Sequence, residues 1–159
     1  MTKIHHWRVG SALIAAFILV GLLFVANRTD RFRFPANESS AVGSLRTLYS
    51  ANIAYATIHP QQGYPNKLAD LALPLENPKG DEVPVWAVDP VLARGAKTGY
   101  RFAYTSHSSK ADGKVDVYEI TADPVEPAVG RERHFFMNET GVIRVSESGP
   151  ATASSLALR

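Results

Sequence analysis

The sequence predicts an α+β fold: an N-terminal transmembrane helix, then a long amphipathic helix packed on a three- to four-stranded antiparallel meander. Three stretches predict this class. Residues 9–26 carry no charge and are almost wholly apolar, residues 37–58 repeat apolar side chains every three or four positions, and residues 99–145 alternate apolar with polar side chains. Because a small sheet with one apolar face needs a cover, we expect the long helix to lie on it.

The first stretch has the length of a membrane span. As a helix, residues 9–26 would measure about 27 Å, close to the ~30 Å hydrocarbon core of a bilayer. A cleavable signal peptide is the alternative, since Lys3 and Arg8 supply a basic amino-terminal region. However, Phe24 is too large for the small-x-small pattern that precedes a cleavage site, so the sequence favours an uncleaved anchor with the lipid bilayer as its partner.

The length and charge of the chain after the span limit its possible domain organisation and binding partners. About 130 residues remain, which is enough for one compact domain. Five of the 17 basic residues flank the span, which leaves 12 basic against 14 acidic residues after Phe34. This balance does not indicate nucleic-acid binding, which requires a basic face on the folded domain. The absence of cysteine excludes disulfides, thiolate metal sites and cysteine nucleophiles.

Residues 27–36 are predicted to be a juxtamembrane segment. Charged residues alternate with phenylalanines there, a pattern typical of a membrane–water interface. Pro35 would remove one helix hydrogen bond and clash with the carbonyl of Arg31, so a kink or break is expected near residues 31–35.

The amphipathic helix is predicted to begin at Asn37 or Ser39, either of which could cap it, and to end at Ile58 before a proline. Asn52 falls within the apolar stripe and needs a hydrogen-bond partner if it is buried. Gly43 weakens the helix and suggests that another helix or subunit approaches closely there. The stripe consists of Ala41, Val42, Leu45, Leu48, Tyr49, Ile53, Tyr55 and Ala56.

Short elements and turns are predicted between the helix and the strands. Leu68, Leu71 and Leu73 predict a short helix or turn that Pro74 ends, and residues 74–98 are predicted to be irregular. One helical turn is predicted within them, with Asp89 as its cap, Pro90 at its first position and Gly95 at its end.

The alternation of side chains with a period of two residues predicts strands near residues 100–105, 117–122, 134–137 and 142–145. Asp112-Gly113 is predicted to form the first hairpin turn. Residues 149–159 show neither the helical nor the strand spacing of apolar side chains and are predicted to be a disordered tail. The predicted soluble domain therefore spans residues 37–148.

Several of these stretches resemble one family. Residues 31–56, RFRFPANESSAVGSLRTLYSANIAYA, resemble the segment that follows the membrane helix in type IV pilin-like proteins, the group of bacterial major pilins and pseudopilins. Shorter similarities lie at Gly63–Leu71, Gly99–Tyr104, Ala122–Pro124 and Gly141–Arg144, so the resemblance covers most of residues 31–148.

The resemblance implies a pilin-like fold and a single-pass protein of the bacterial inner membrane, with residues 1–8 cytoplasmic and the domain periplasmic. It further implies a structural protein that acts through protein–protein contacts, with other pilin-like subunits as partners, as a minor component of a type IV pilus or a type II secretion system.

The amino-terminal end departs from the family pattern. Pilin precursors carry a Gly-Phe-Thr-Leu-Ile-Glu motif at the processing site, whose glycine, phenylalanine and glutamate would fall near His5, His6 and Gly10. None of the three matches. This departure favours an alternative, a membrane-tethered periplasmic binding or sensory module that keeps the pilin fold without filament assembly.

No residue pattern indicates catalysis, and the sequence predicts no enzyme, no cofactor and no metal. Ser44 lacks the Gly-x-Ser-x-Gly elbow, and no two histidines have the two- or four-residue spacing of metal ligands. Asp112, Asp116 and Asp123 could supply oxygen ligands for calcium, but turn chemistry explains Asp112 better. The histidines are His5, His6, His59, His107 and His134. The six tyrosines are more typical of residues that cover a helix–sheet join than of a binding surface.

Overall fold

The computed structural model describes residues 36–72, 84–126 and 133–159. Asn37–Arg159 form one compact unit. The predicted amino-terminal segment 1–8, the predicted span 9–26 and the kink expected near residues 31–35 lie outside the described residues. So does the juxtamembrane segment, except for Ala36. No helix in the described part of the chain is long and apolar enough to cross a membrane.

Residues 36–58 form the long helix, α1. The predicted end is confirmed, because the helix stops at Ile58 and the His59 N–H closes the last turn on the Tyr55 carbonyl at 2.9 Å. The predicted stripe is confirmed in part. Its members Ala41, Leu45 and Leu48 are buried, and so is Ala51, which was not predicted, whereas the predicted member Ile53 is 40% exposed.

The predicted start of α1 is wrong. Residues 36–40 are already helical, so neither Asn37 nor Ser39 is the N-cap. The Asn37 amide lies against Gly99 instead, where an added Cβ would approach its nitrogen to 2.9 Å. Asparagine is favoured at caps because its side chain bonds the local backbone, and here a tertiary contact uses that side chain.

Two short helices lie between α1 and the sheet in the part of the chain that is described. A 3₁₀ turn spans Leu68–Leu71, and a one-turn helix, α2, spans Pro90–Ala93. In α2, Asp89 Oδ1 accepts the Val91 N–H at 2.8 Å, and Gly95 follows with a φ of +80°. The predicted cap, first position and glycine end of this turn are confirmed.

Within the described ranges the sheet has six antiparallel strands that lie in chain order, so it is a meander as predicted, with two more strands than the largest predicted number. The two additional strands are the edge strands, each of two residues, which is too short to show alternation in the sequence. The strands are β1 (Ala96–Lys97), β2 (Tyr100–His107), β3 (Val117–Pro124), β4 (His134–Asn138), β5 (Arg144–Ser146) and β6 (Leu156–Ala157).

The prediction of a disordered tail at residues 149–159 is wrong. Leu156–Ala157 pair with β5, and the Leu158 N–H donates to the Ile143 carbonyl at 2.8 Å. The Arg144 guanidinium holds the approach to β6 by donating to the Ser155 carbonyl at 2.9 Å. The tail is ordered by backbone pairing, which needs no apolar periodicity of its own.

The core lies between α1 and one face of the sheet, which confirms the α+β arrangement of a helix on an antiparallel meander. Alternate residues of the three central strands point toward the helix, as the period of two predicts. The strands contribute Tyr100, Phe102, Tyr118, Ile120, Ala122, Phe135 and Met137 to this core.

Candidate contact groove

A groove of about 360 Å³ lies beside α1. The outward side of the helix forms one wall and residues 85–88 form the other. This second wall is held in place because the Val88 N–H donates to the Leu71 carbonyl at 2.9 Å and Ala72 pairs with Val88. The lining residues are Arg46, Thr47, Ser50, Ala51, Val85, Ala87 and Val88.

The groove combines an apolar floor with a positive charge that is unpaired among the described residues. Ala51 and Val88 are buried, whereas Val85 is 76% exposed. The Thr47 hydroxyl is turned back onto the helix, where it donates to the Gly43 carbonyl at 3.0 Å. The Arg46 side chain is exposed and makes no hydrogen bond or ion pair with any described residue. The arrangement can accept an aliphatic side chain together with an anion.

The helix surface next to the groove is open at Gly43. A Cβ added there would meet no described atom within 4 Å. The neighbour that the glycine led us to expect is therefore not supplied by the described part of this chain, and a neighbouring subunit stays a prediction.

A polar bond network closes the helix–sheet join behind the groove. The Tyr104 hydroxyl donates to Asn52 Oδ1 at 2.8 Å and lies 3.0 Å from the Pro65 carbonyl, while Asn52 Nδ2 donates to the Leu48 carbonyl at 2.7 Å. The prediction that Asn52 needs a partner is confirmed. Burial raises the pKa of Tyr104 well above its ordinary value, and the Asp70 carboxylate adds to the effect.

A second tyrosine in the same join has a hydroxyl that bonds to none of the described residues. Tyr118 is fully buried and stacks on Tyr104 with ring centroids 5.7 Å apart, and Tyr64 meets it edge to face at 4.7 Å. The Tyr118 hydroxyl and one carboxylate oxygen of Glu139 are buried without a hydrogen bond to any described residue. Burial raises the pKa of Tyr118, with neighbouring tyrosines adding to it.

The tyrosines as a group cover the helix–sheet join, which confirms their sequence interpretation. Tyr100 and Tyr118 belong to the core, and the other four pack against it while partly exposed. Tyr49 shows how close this packing is, because a Cβ at Gly141 would come within 2.7 Å of its ring. These four are Tyr49, Tyr55, Tyr64 and Tyr104.

The three aspartates considered for calcium do not come together. Asp116 is bound by Ser109, whose hydroxyl and backbone N–H lower the pKa of that carboxyl. Asp112 Oδ1 accepts the Lys114 N–H at 3.0 Å within the turn, as turn chemistry predicted. Asp123 lies toward the other end of β3, 2.6 Å from His134 Nδ1. Within the described ranges no three histidine, aspartate or glutamate side chains could hold one metal ion.

Strand pairing brings Asp123, His134 and Ser146 into one row across β3, β4 and β5, an order that sequence reasoning missed. The row has the residue types of a hydrolytic triad, but the described structure contains no hydrogen bond between Ser146 and His134. The Ser146 hydroxyl instead lies 3.5 Å from the Ser148 N–H. Ser44, the other serine considered, is buried in α1.

Sequence reasoning also missed the groove. The helix itself was predicted, but residues 85–88 fall in a stretch predicted to be irregular. The stretch is placed beside the helix by contacts between distant residues, such as the Trp86 ring edge to face with Tyr55 of α1 at 5.9 Å. No local pattern in the sequence carries that information.

No family model, curated protein or solved structure matches this chain.

Proposed function

We propose that this chain is a membrane-anchored, pilin-like structural protein of the bacterial inner membrane, a minor component of a type IV pilus or a type II secretion system. Its domain lies on the periplasmic side and acts through contacts with other pilin-like subunits. The proposal extends the sequence resemblance over residues 31–148 and the predicted span at residues 9–26.

The observation that carries this proposal is the packing of α1. Residues 36–58 lie with a buried apolar stripe against an antiparallel meander whose strands follow one another in chain order. This is the arrangement that the resemblance implies for a domain that follows a membrane helix. The outward side of the same helix carries an open glycine and a groove with a free cation, which suits contact with another protein.

Fractionation with protease protection tests the anchor and its orientation. The full chain, produced in a bacterial host, should remain in the membrane after alkaline carbonate washing. Its domain should be digested in spheroplasts, where protease reaches the outer face of the inner membrane. The matched control is Ile18→Arg, because an arginine at the centre of a span disfavours insertion by about 2.5–3.5 kcal/mol.

Loss of the wild-type chain from the membrane fraction would refute the anchor. A domain cleaved only after the cells are broken open would refute the periplasmic orientation. The mass of the mature protein separates the possible amino termini. An intact Met1 fits a permanent anchor, and the loss of about five or six residues with an added methyl group fits the pilin-type processing that the resemblance implies.

A second candidate function is a membrane-tethered periplasmic binding or sensory module. The departure from the processing motif at His5, His6 and Gly10 favours it, because assembly into a filament depends on that motif in the family. Purification of filaments or secretion complexes from a host that carries them distinguishes the two functions. A chain that stays in the membrane and never copurifies with such complexes supports the second candidate over the first.

A further inference from the structure

We propose that the groove beside α1 receives the corner at Val125–Glu126 of a second copy of this chain. The inference rests on the proposed function, because it names the partner surface for the contacts through which the protein is proposed to act. The corner is proposed as the occupant because its apolar side chain and its charge match the lining of the groove.

The groove sets two requirements for its occupant. Its floor at Ala51 and Val88 is apolar and calls for an aliphatic side chain. The exposed Arg46 guanidinium has no partner among the described residues and calls for a carboxylate at a short distance from that side chain. A volume of about 360 Å³ is near the small end of ligand pockets, so it suits a short piece of chain.

One place in the described structure meets both requirements. Val125 is 47% exposed, and it is the one exposed large aliphatic residue of the described chain that has an acidic neighbour in sequence and an unpaired carboxylate beside it. That neighbour, Glu126, is exposed and forms no bond with any described residue. The other exposed aliphatic residues are Ile53, Ile58, Val85, Val91, Val142 and Leu156.

A second site also places an exposed aliphatic residue near a carboxylate, but that carboxylate is already paired. Val91 is 46% exposed and lies two residues after Asp89. However, the Asp89 carboxylate is already engaged by Lys97 Nζ at 2.6 Å and by the Val91 N–H. It has no free oxygen pair for an arginine of another copy, so Val91 serves as a matched control.

The corner is held rigidly enough to act as a contact. It directly follows β3, and the Val125 N–H donates to the Gly99 carbonyl at 2.9 Å. The backbone that carries the side chains is therefore fixed before association, which reduces the entropy lost on binding.

The contact joins two different surfaces, so it is heterologous. Each copy can offer its groove to one neighbour and its corner to another, and such contacts extend into an open chain unless rotation closes a ring. A small contact of this kind is weak for free molecules. Confinement of anchored copies to one membrane would raise their effective concentration, so that a weak contact between them is populated.

Disulfide crosslinking tests the pairing, because the natural chain has no cysteine. A tagged full chain with Ser50→Cys and an untagged full chain with Val125→Cys are placed in the same vesicles and oxidised. We expect a disulfide-linked heterodimer of distinct size. The control replaces Val125→Cys by Val91→Cys, which has nearly the same exposure. A heterodimer yield no greater than that of the control overturns the proposal.

Charge reversal tests the role of Arg46 in the same assay. Arg46→Glu on the tagged copy should lower the heterodimer yield about tenfold or more, because it places two carboxylates against each other. Glu126→Arg on the untagged copy should then restore it. Both side chains are exposed and unpaired in the described structure, so near-UV circular dichroism should show unchanged folding. A yield unaffected by Arg46→Glu also overturns the proposal.

This failure is distinguishable from failure of the proposed function. A chain that stays in the membrane and copurifies with pilin-like complexes, but forms no heterodimer, contradicts this pairing alone. If the Ser50→Cys variant in cell membranes captures a different protein in place of a second copy, the groove belongs to another partner and the inference is refuted.

Discussion

The two ends of the helix–sheet join are closed by different chemistry. Near its first described turn, α1 is bound through Glu38, whose carboxylate accepts Arg133 Nη2 at 2.6 Å and Nε at 2.9 Å. Three to four turns later it is bound through Asn52, which is fully buried and accepts the Tyr104 hydroxyl. The first link is charged and borders solvent at Arg133, whereas the second is neutral and its Asn52 end is fully buried.

This difference shows how the helix acquires one orientation on the sheet. The apolar stripe between the links stabilises the helix on the sheet but does not fix its position there, because the hydrophobic effect is not directional. The two polar links specify position, since each is satisfied only at one register of helix on sheet. Because their chemistry differs, alkali should weaken the neutral link and high salt should weaken the charged one.

Alkaline pH should have the largest effect and should break the neutral link. Burial raises the pKa of both Tyr104 and Tyr118 above the ordinary value of 10.0. Above pH 10 the unfolded chain loses tyrosine protons that the folded chain keeps, so the free energy of unfolding falls as pH rises. We expect cooperative loss of near-UV circular dichroism in this range, together with tyrosinate absorbance.

The charged link does not itself titrate in this range. The hydrogen bond to Glu38 raises the pKa of Arg133 further above its ordinary value, so the guanidinium stays charged in alkali. Tyrosinate absorbance from all six tyrosines that develops with the pKa of free tyrosine while the fold is intact would contradict the prediction.

Tyr104→Phe should have the next largest effect. The ring remains, but Asn52 Oδ1 loses its donor and the Pro65 carbonyl loses the hydroxyl 3.0 Å from it. An unsatisfied buried acceptor costs about 1–3 kcal/mol, so the free energy of unfolding in urea should fall by that amount. Because the link is neutral, the loss should be the same at low and high salt. A change below about 0.5 kcal/mol, typical of a surface substitution, would contradict a structural role for the hydroxyl.

Glu38→Gln should have a smaller effect that depends on salt. Glutamine keeps an acceptor near Arg133 but removes the charge, and the pair is only partly shielded from water. We expect a loss of about 1 kcal/mol at low salt, because partly exposed ion pairs contribute little more than surface ones. The difference from the wild type should shrink at about 1 M salt, where screening acts within about 3 Å. A loss that is independent of salt would show that the Glu38 link acts through packing.

The sequence predicted those features whose cause is local. The end of α1 at Ile58, the requirement of Asn52 for a partner and the helical turn capped by Asp89 each depend on a few neighbouring residues, and all three are confirmed. The three central strands were predicted for the same reason, since alternation within one strand reveals its buried face.

Features that depend on pairing between distant residues were not predicted. Strand β6 exists because Leu156–Ala157 meet β5, and nothing in the tail's own composition indicates a strand. The groove depends on the bond between Leu71 and Val88 in the same way. Its free cation, Arg46, was visible in the sequence as a polar residue on the outer side of a helix, but its isolation from any described partner was not.

Tyr118→Phe should have the smallest effect and gives the sharpest test of the neutral end. Tyr118 and Tyr104 are stacked in the same join and chemically identical, but among the described residues only the Tyr104 hydroxyl has partners. Removing a buried hydroxyl that lacks a hydrogen bond relieves a desolvation cost, so the free energy of unfolding should change by less than about 0.5 kcal/mol or increase. Tyr104→Phe, measured in the same urea series, is the matched control. If the two variants lose equal stability, the Tyr118 hydroxyl has a partner in solution, and Glu139, whose second oxygen is also buried and unpaired in the described structure, is the first residue to replace.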